Sequence, residues 1–224
     1  MTDERVLKPY RVEVALDAGR DEVWDAVTQP PVLRQWFGWD YDGLDAEIKQ
    51  IFVDEATLVS PERMGWADGS YLEVAGGDDR CTARAVREGP APEDPDTYDA
   101  IEEGWRAFLC QLRFYLRERP TGVRRTLLLT GETTARQALA LVDGEWTRAG
   151  SRLAWTVEPA GHLVVVACHL PLSERSASHT EVTVSAYGLD DRAFAAMRDE
   201  WVGRWTPIAD RPGVAFDGTP APGE

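Results

Sequence analysis

The chain has 224 residues, 43% hydrophobic and 28% charged, enough for one large core or two small ones and ordinary for a globular protein. Its 39 acidic residues outnumber 24 basic ones, for a net charge of −15, and such a surface repels phosphate backbones, which argues against nucleic acid and anionic membrane as partners. No apolar run is long enough to span a bilayer, and Met1-Thr-Asp-Glu-Arg-Val6 lacks the basic-then-apolar pattern of a secretory signal, so the sequence predicts a cytoplasmic protein without membrane insertion.

In chain order, Arg11-Val-Glu-Val-Ala-Leu-Asp17 alternates apolar and polar residues and predicts a strand over 10–17. Asp21 to Val27 predicts a helix, with Val23, Trp24 and Val27 as its buried face, two acids at the positive end of its dipole, and Pro30-Pro31 as its stop. A second short helix over 31–37 gathers Val32, Leu33 and Trp36 and leads into the ring-rich segment Trp36-Phe-Gly-Trp-Asp-Tyr41. Short runs at 47–53, 56–59, 70–74 and 80–86, broken by Gly and Asp, predict an antiparallel meander. The acidic, Pro-rich segment 88–96 predicts an exposed loop. Over 98–118, Ile101, Trp105, Phe108, Leu109, Leu112, Tyr115 and Leu116 recur at helical spacing, and Asp99 with Glu102 fits a capping box. The second half predicts a strand at 124–130, a helix at 133–142, strands near 151–158, 162–170 and 179–187, and a last helix from Asp190 carrying Phe194, Met197, Trp201 and Trp205. From Pro207 the Pro- and Gly-rich sequence predicts a loosely packed tail.

A strand-then-helix unit is thus predicted twice, each time closed by a long Trp-bearing helix, at Glu103-Gly-Trp105 and at Asp199-Glu-Trp201. Val23-Trp24-Asp25-Ala26-Val27-Thr28-Gln29-Pro30, Leu33-Arg34-Gln35-Trp36-Phe37 and the Gly104-Trp105 helix resemble the motifs of the START/Bet v 1-like (SRPBCC, helix-grip) superfamily, nearest to the branch related to the activator of heat-shock-protein ATPase. The motifs cover residues 8–119, and the second half resembles the family only in element order. The resemblance implies an α+β helix-grip fold, an antiparallel sheet curved around long helices, here duplicated or enlarged. The expected division is 1–119 as the half with the family motifs, 120–206 as a shorter half packed against it, and 207–224 as the tail. The resemblance also implies binding of a hydrophobic, polycyclic small molecule, lipid or polyketide-like. Family members occur in polyketide and enediyne pathways, so the implied roles are carrier, sequestering resistance protein, or aromatase/cyclase. A co-chaperone-like interaction protein with a chaperone partner is the alternative from another class, and a homodimer remains open.

The residues expected to contact the ligand are Trp36, Phe37, Trp39 and Tyr41 from the ring-rich segment, Trp105, Phe108, Leu112 and Tyr115 from the long helix, and Trp155 and His169 from the second half. Three large rings and a tyrosine within six positions are costly to leave in water, although an aromatic stripe at helical spacing is more often core than cavity wall. His162 and His169 are predicted on one strand with opposite facing, and Cys168 and His169 diverge, so no local thiol–imidazole dyad exists and no catalytic residue is assigned. Cys81, Cys110 and Cys168 form no CxxC pair and read as buried reduced thiols. Asp40, Asp42, Asp45 and Glu47 lack the pattern of a calcium loop, Gly76-Gly77 is followed by no Lys-Ser/Thr, and neither Gly-x-Ser-x-Gly nor His-Glu-x-x-His occurs. The sequence therefore predicts neither a metal nor a cofactor.

Overall fold

The longest helix, α4 (Ala100–Glu118), is packed on two sides, and the rest of the architecture follows from that. The computed structural model describes residues 8–60, 62–90, 92, 94 and 96–219. Asp99 caps α4 by accepting from Glu102 N at 2.9 Å, and Arg119 ends it in a left-handed conformation (φ 46°) just before Pro120. One stripe of α4, Trp105, Leu109, Leu112 and Leu116, joins the core of the first sheet. A second stripe, Cys110 and Phe114, packs on Leu153, Leu163 and Val165 of the second sheet.

The protein is α+β with two antiparallel sheets. The first contains β1 (Tyr10–Leu16), β2 (Thr57–Ser60), β3 (Arg63–Gly65), β4 (Tyr71–Gly76) and β5 (Cys81–Arg87), in the order β1-β5-β4-β3-β2. The second contains β6 (Arg124–Thr133), β7 (Thr147–Arg148), β8 (Leu153–Val157), β9 (Leu163–Cys168), β10 (Ser178–Tyr187) and β11 (Asp210–Phe216), in the order β11-β6-β10-β9-β8-β7. In each sheet the first strand pairs with the last strand of a meander, and a long helix follows: α4 in the first, α6 (Asp191–Trp205) in the second. Alternation along β9 gives the second sheet two buried faces. Leu163 and Val165 point toward α4, while Val164, Val166 and Cys168 share a core with Phe194, Met197, Trp201 and Trp205 of α6. Among the described residues no helix is long and apolar enough to cross a membrane.

The remaining helices are α1 (Arg20–Thr28), α2 (Pro30–Leu33), α3 (Leu44–Lys49) and the short α5 (Ala135–Leu139). Three expectations need correction. The run 47–53 is not a strand: α3 continues into a π turn over Gln50–Asp54, because Leu44, Ile48 and Phe52 recur every four residues and are all buried. Strand β3, three residues long, is too short for a periodic pattern and was not anticipated. Part of the expected tail is strand β11, which pairs with β6 at the sheet edge, where a missing proline N–H is tolerated. Its register shifts between Asp210 and Gly213, and a Cβ on Gly213 would lie 2.3 Å from Thr130 Oγ1, so the glycine permits the close pairing.

Candidate functional site

A cavity of about 660 Å³ lies beside the first half of α4, bounded by Phe37 and Trp39, by the α3 segment, by Trp66 in the β3–β4 hairpin, and by β9 and β10 of the second sheet. Its wall is largely aromatic. Trp105 stands 5.8 Å from Trp66 and 6.1 Å from Phe108 between ring centroids, and Phe108 stands 4.5 Å from Phe37. Trp66 is fixed by its indole N–H, which donates to Ile51 O at 2.8 Å. The helix contributes this face because Trp105 and Phe108 lie three residues apart, one above the other.

The segment bearing Phe37 and Trp39 is held by the second half of the chain. Arg124 at the start of β6 is fully buried and donates to Phe37 O at 2.8 Å and to Gly38 O at 2.7 Å, and also to Gln111 Oε1 on α4 and to Ser185 Oγ. Asp40, 1% exposed, accepts from Thr126 N at 2.6 Å and pairs with Arg34. Tyr187 donates to Gln35 O at 2.6 Å. Burial, with the like charge of Arg34 adding to it, lowers the pKa of Arg124, opposed by the Tyr187 phenol and the charge of Asp40.

Five of the expected contact residues line the cavity: Phe37, Trp39, Trp105, Phe108 and His169. The other five do not. Trp36 is fully buried and donates to Ala26 O at 2.8 Å, so it plugs the core under α1. Tyr41 donates to Glu47 Oε2 at 2.7 Å, and burial with that bond pushes its phenol up to about 12. Leu112 is fully buried in the first core. Tyr115 lies about a turn beyond Gln111, where the cavity ends along α4. Trp155 packs with Cys110 and Phe114 under the Arg113 guanidinium. On α4 the reason is length, because the cavity covers only the first three turns of the helix. Trp66, Tyr98, Glu103 and Glu181 line it and were missed. Trp66 sits in a hairpin with no helical or strand period to flag it. Glu103 stands beside the Gly104-Trp105 motif, but a carboxylate on a helix reads as a solvated face.

Two polar groups on this wall lack hydrogen-bond partners. Trp39 Nε1 is buried and has no hydrogen-bond partner among the described residues. Glu103 is 8% exposed, and its Oε2 pairs with Arg106 Nε at 3.3 Å but takes no hydrogen bond among the described residues. Burial pushes the Glu103 carboxyl above its ordinary range, with Arg106 opposing. His169 packs 4.2 Å from the Tyr98 ring and 4.8 Å from His179; burial first, then His179, lowers its pKa. His179, bonded to Glu181 at 3.4 Å, shifts the other way. Cys110 is pushed up to about 12 by burial, which leaves it a thiol rather than a nucleophile. Among the described residues no three His, Cys, Asp or Glu side chains converge on a metal position.

No family model and no curated protein sequence matches the chain. Two solved structures are similar to it. One is DynU16, a protein of the dynemicin biosynthetic locus, at 19% identity over 89% of this chain and 96% of that one, with a TM-score of 0.34. The other is the di-domain ARO/CYC BexL of the BE-7585A biosynthetic pathway, at 12% identity over 91% and 99%, with a TM-score of 0.31. Similarity this distant assigns no activity.

Proposed function

We propose that the protein binds a flat, hydrophobic small molecule of polyketide-like size in the cavity beside α4 and acts as a carrier or sequestering protein. The observation that carries this reading is the cavity itself: about 660 Å³, within the usual range for ligand pockets, walled by Phe37, Trp39, Trp66, Trp105 and Phe108. The resemblance of 23–37 and 103–112 to helix-grip motifs supports the same reading. We further propose that 1–119 and 120–206 are two helix-grip units, supported by the matching strand order of the two sheets and the long helix after each. The aromatase/cyclase reading draws support from Glu103, a buried carboxyl with a raised pKa on the cavity wall, which is the environment of a proton-transfer group.

The test is titration with a neutral three-ring probe, 9-anthracenemethanol. It should quench tryptophan fluorescence and raise the melting temperature, because it binds only the folded state. Trp105→Ala should weaken the affinity read from the quench. No saturable quenching in the parent protein, or an affinity unchanged in Trp105→Ala, refutes binding at this cavity. Native mass spectrometry of gently purified protein identifies any co-purifying ligand.

A further inference from the structure

The charge around the cavity is one-sided. Glu47, Glu55, Asp68, Glu103 and Glu181 line it, and among the described residues no lysine or arginine does. Three of these carboxylates have no cationic partner. Glu47 accepts from the Tyr41 hydroxyl, Glu55 from Gln50 Nε2, and Asp68 from Ser70 N and Oγ, all neutral donors. Glu181 faces only His179. The nearest cations are occupied behind the wall. Arg106 gives its hydrogen bond to Glu102 at 2.6 Å and pairs through Nε with Glu103 Oε2 at 3.3 Å, Lys8 pairs with Glu102 at 2.9 Å, and Arg152 donates to the carbonyls of His169 and Asp96.

We infer that the cavity selects an aromatic ligand bearing a protonated amine, with the Glu103 carboxylate as the counter-charge and the Trp66 and Trp105 faces beside it. This deepens the small-molecule reading above and rests on it. Glu103 is the anchor because it is the one lining carboxylate that is more than nine-tenths buried and still has an unbonded oxygen. A buried carboxylate without a hydrogen-bond donor is costly, and an entering ammonium supplies charge-assisted hydrogen bonds that the Arg106 ion pair does not. Indole faces attract the same cation through their ring quadrupoles. The exposed Glu55 and Asp68 stand where the cavity opens, alongside Ile101, which is 54% exposed, so an approaching cation meets a negative entrance before it meets the rings. An anionic ligand meets repulsion at every one of these positions.

The experiment compares three probes of one ring system, 9-(aminomethyl)anthracene as the ammonium cation, 9-anthracenemethanol as the neutral molecule and anthracene-9-carboxylate as the anion, by fluorescence titration at pH 7. The expected order of affinity is cation, neutral, anion, with the cation about tenfold tighter than the neutral probe. Glu103→Gln should remove most of that tenfold preference, read as the ratio of cation to neutral affinity within the one variant. Asp143→Asn, which removes one equal charge from an exposed site outside the cavity lining, should leave the preference intact and so separates the anchor from the bulk field. The double variant Glu55→Gln/Asp68→Asn, whose amide oxygens can still accept from Gln50 and from the buried Ser70, should weaken the cation by about two- to threefold. A neutral probe that binds as well as the cation, or a cation preference unchanged in Glu103→Gln, overturns the inference while the cavity reading stands. Failure of all three probes to bind overturns both.

Discussion

Arg124→Met tests whether the second half of the chain positions the cavity wall. The guanidinium is fully buried and supplies hydrogen bonds to Phe37 O, Gly38 O, Gln111 Oε1 and Ser185 Oγ. Methionine keeps most of the stem's volume, so packing changes little. Ser185 can turn to Gln111, its neighbour at 3.4 Å, which leaves the two carbonyls of Phe37 and Gly38 as orphans. Each buried acceptor left unbonded costs about 1–3 kcal/mol, and relief of the buried charge returns part of that. The expected loss is about 3 kcal/mol, read as a lower urea midpoint by circular dichroism with an unchanged slope. Because Phe37 and Trp39 ride on the same segment, the neutral three-ring probe should also bind more weakly. A loss below about 0.5 kcal/mol with unchanged probe affinity refutes the idea that this node holds the wall.

Three further outcomes are expected. Gly76 has φ 146°, and an added Cβ would stand 2.5 Å from Cys81 Cα and 2.6 Å from Arg80 O, both backbone, so Gly76→Ala should cost about 2–4 kcal/mol in thermal unfolding. All three cysteines are buried with thiol pKa values raised by burial, Cys110 to about 12, so a disulfide reagent at pH 8 should label none in the native protein and all three in denaturant; rapid native labelling contradicts the packing. The folded-state pKa of Glu103 lies above its ordinary 4.5, so the folded state favours the proton, and the ionisation penalty is absent below about pH 4.5 and grows as pH rises through the raised value. The stability of Glu103→Gln minus that of the parent should therefore increase with pH over that window and then level off, and a flat difference would contradict it.

Periodic elements were legible in the sequence and non-periodic ones were not. The seven apolar positions of 98–118 predict α4 to within two residues of its start because its inward stripe keeps a 3.6-residue period. The meander strands β4 and β5 and the second-half strands β8 to β10 also lie where alternation or apolar runs place them. The segment 47–53 misled because Ile51 and Val53 mimic alternation, while the buried set Leu44, Ile48 and Phe52 begins outside the window. At the site, the rings of Phe37, Trp39, Trp105 and Phe108 were visible as costly apolar area, but the side of α4 that each faces depends on the second sheet. Tyr115 shows this. Its position on the stripe was read correctly, yet a stripe does not say where along the helix the filling stops.

Why a cavity persists at all follows from the double duty of α4. A helix gripped by one sheet can close its whole apolar face with side chains from that sheet. Here α4 must satisfy two sheets, and they press on different stripes, Trp105-Leu109-Leu112-Leu116 on one side and Cys110-Phe114 on the other. Toward its C-terminal end both stripes are filled, with Leu116 and Phe114 at most 6% exposed. Toward its N-terminal end the second stripe runs out into Gly104, Glu103 and Ala100, residues too small or too polar to fill the space between sheets. The gap is left beside Trp105 and Phe108, and the segment carrying Phe37 and Trp39 bridges it from the first half while Arg124 holds that bridge from the second. The cavity is thus a property of the two halves together. A fragment ending at residue 119 retains the lining rings of Phe37, Trp39, Trp66, Trp105 and Phe108 but loses the Arg124 contacts and the β9–β10 wall, and on this account it should not bind the three-ring probe that the full chain takes up.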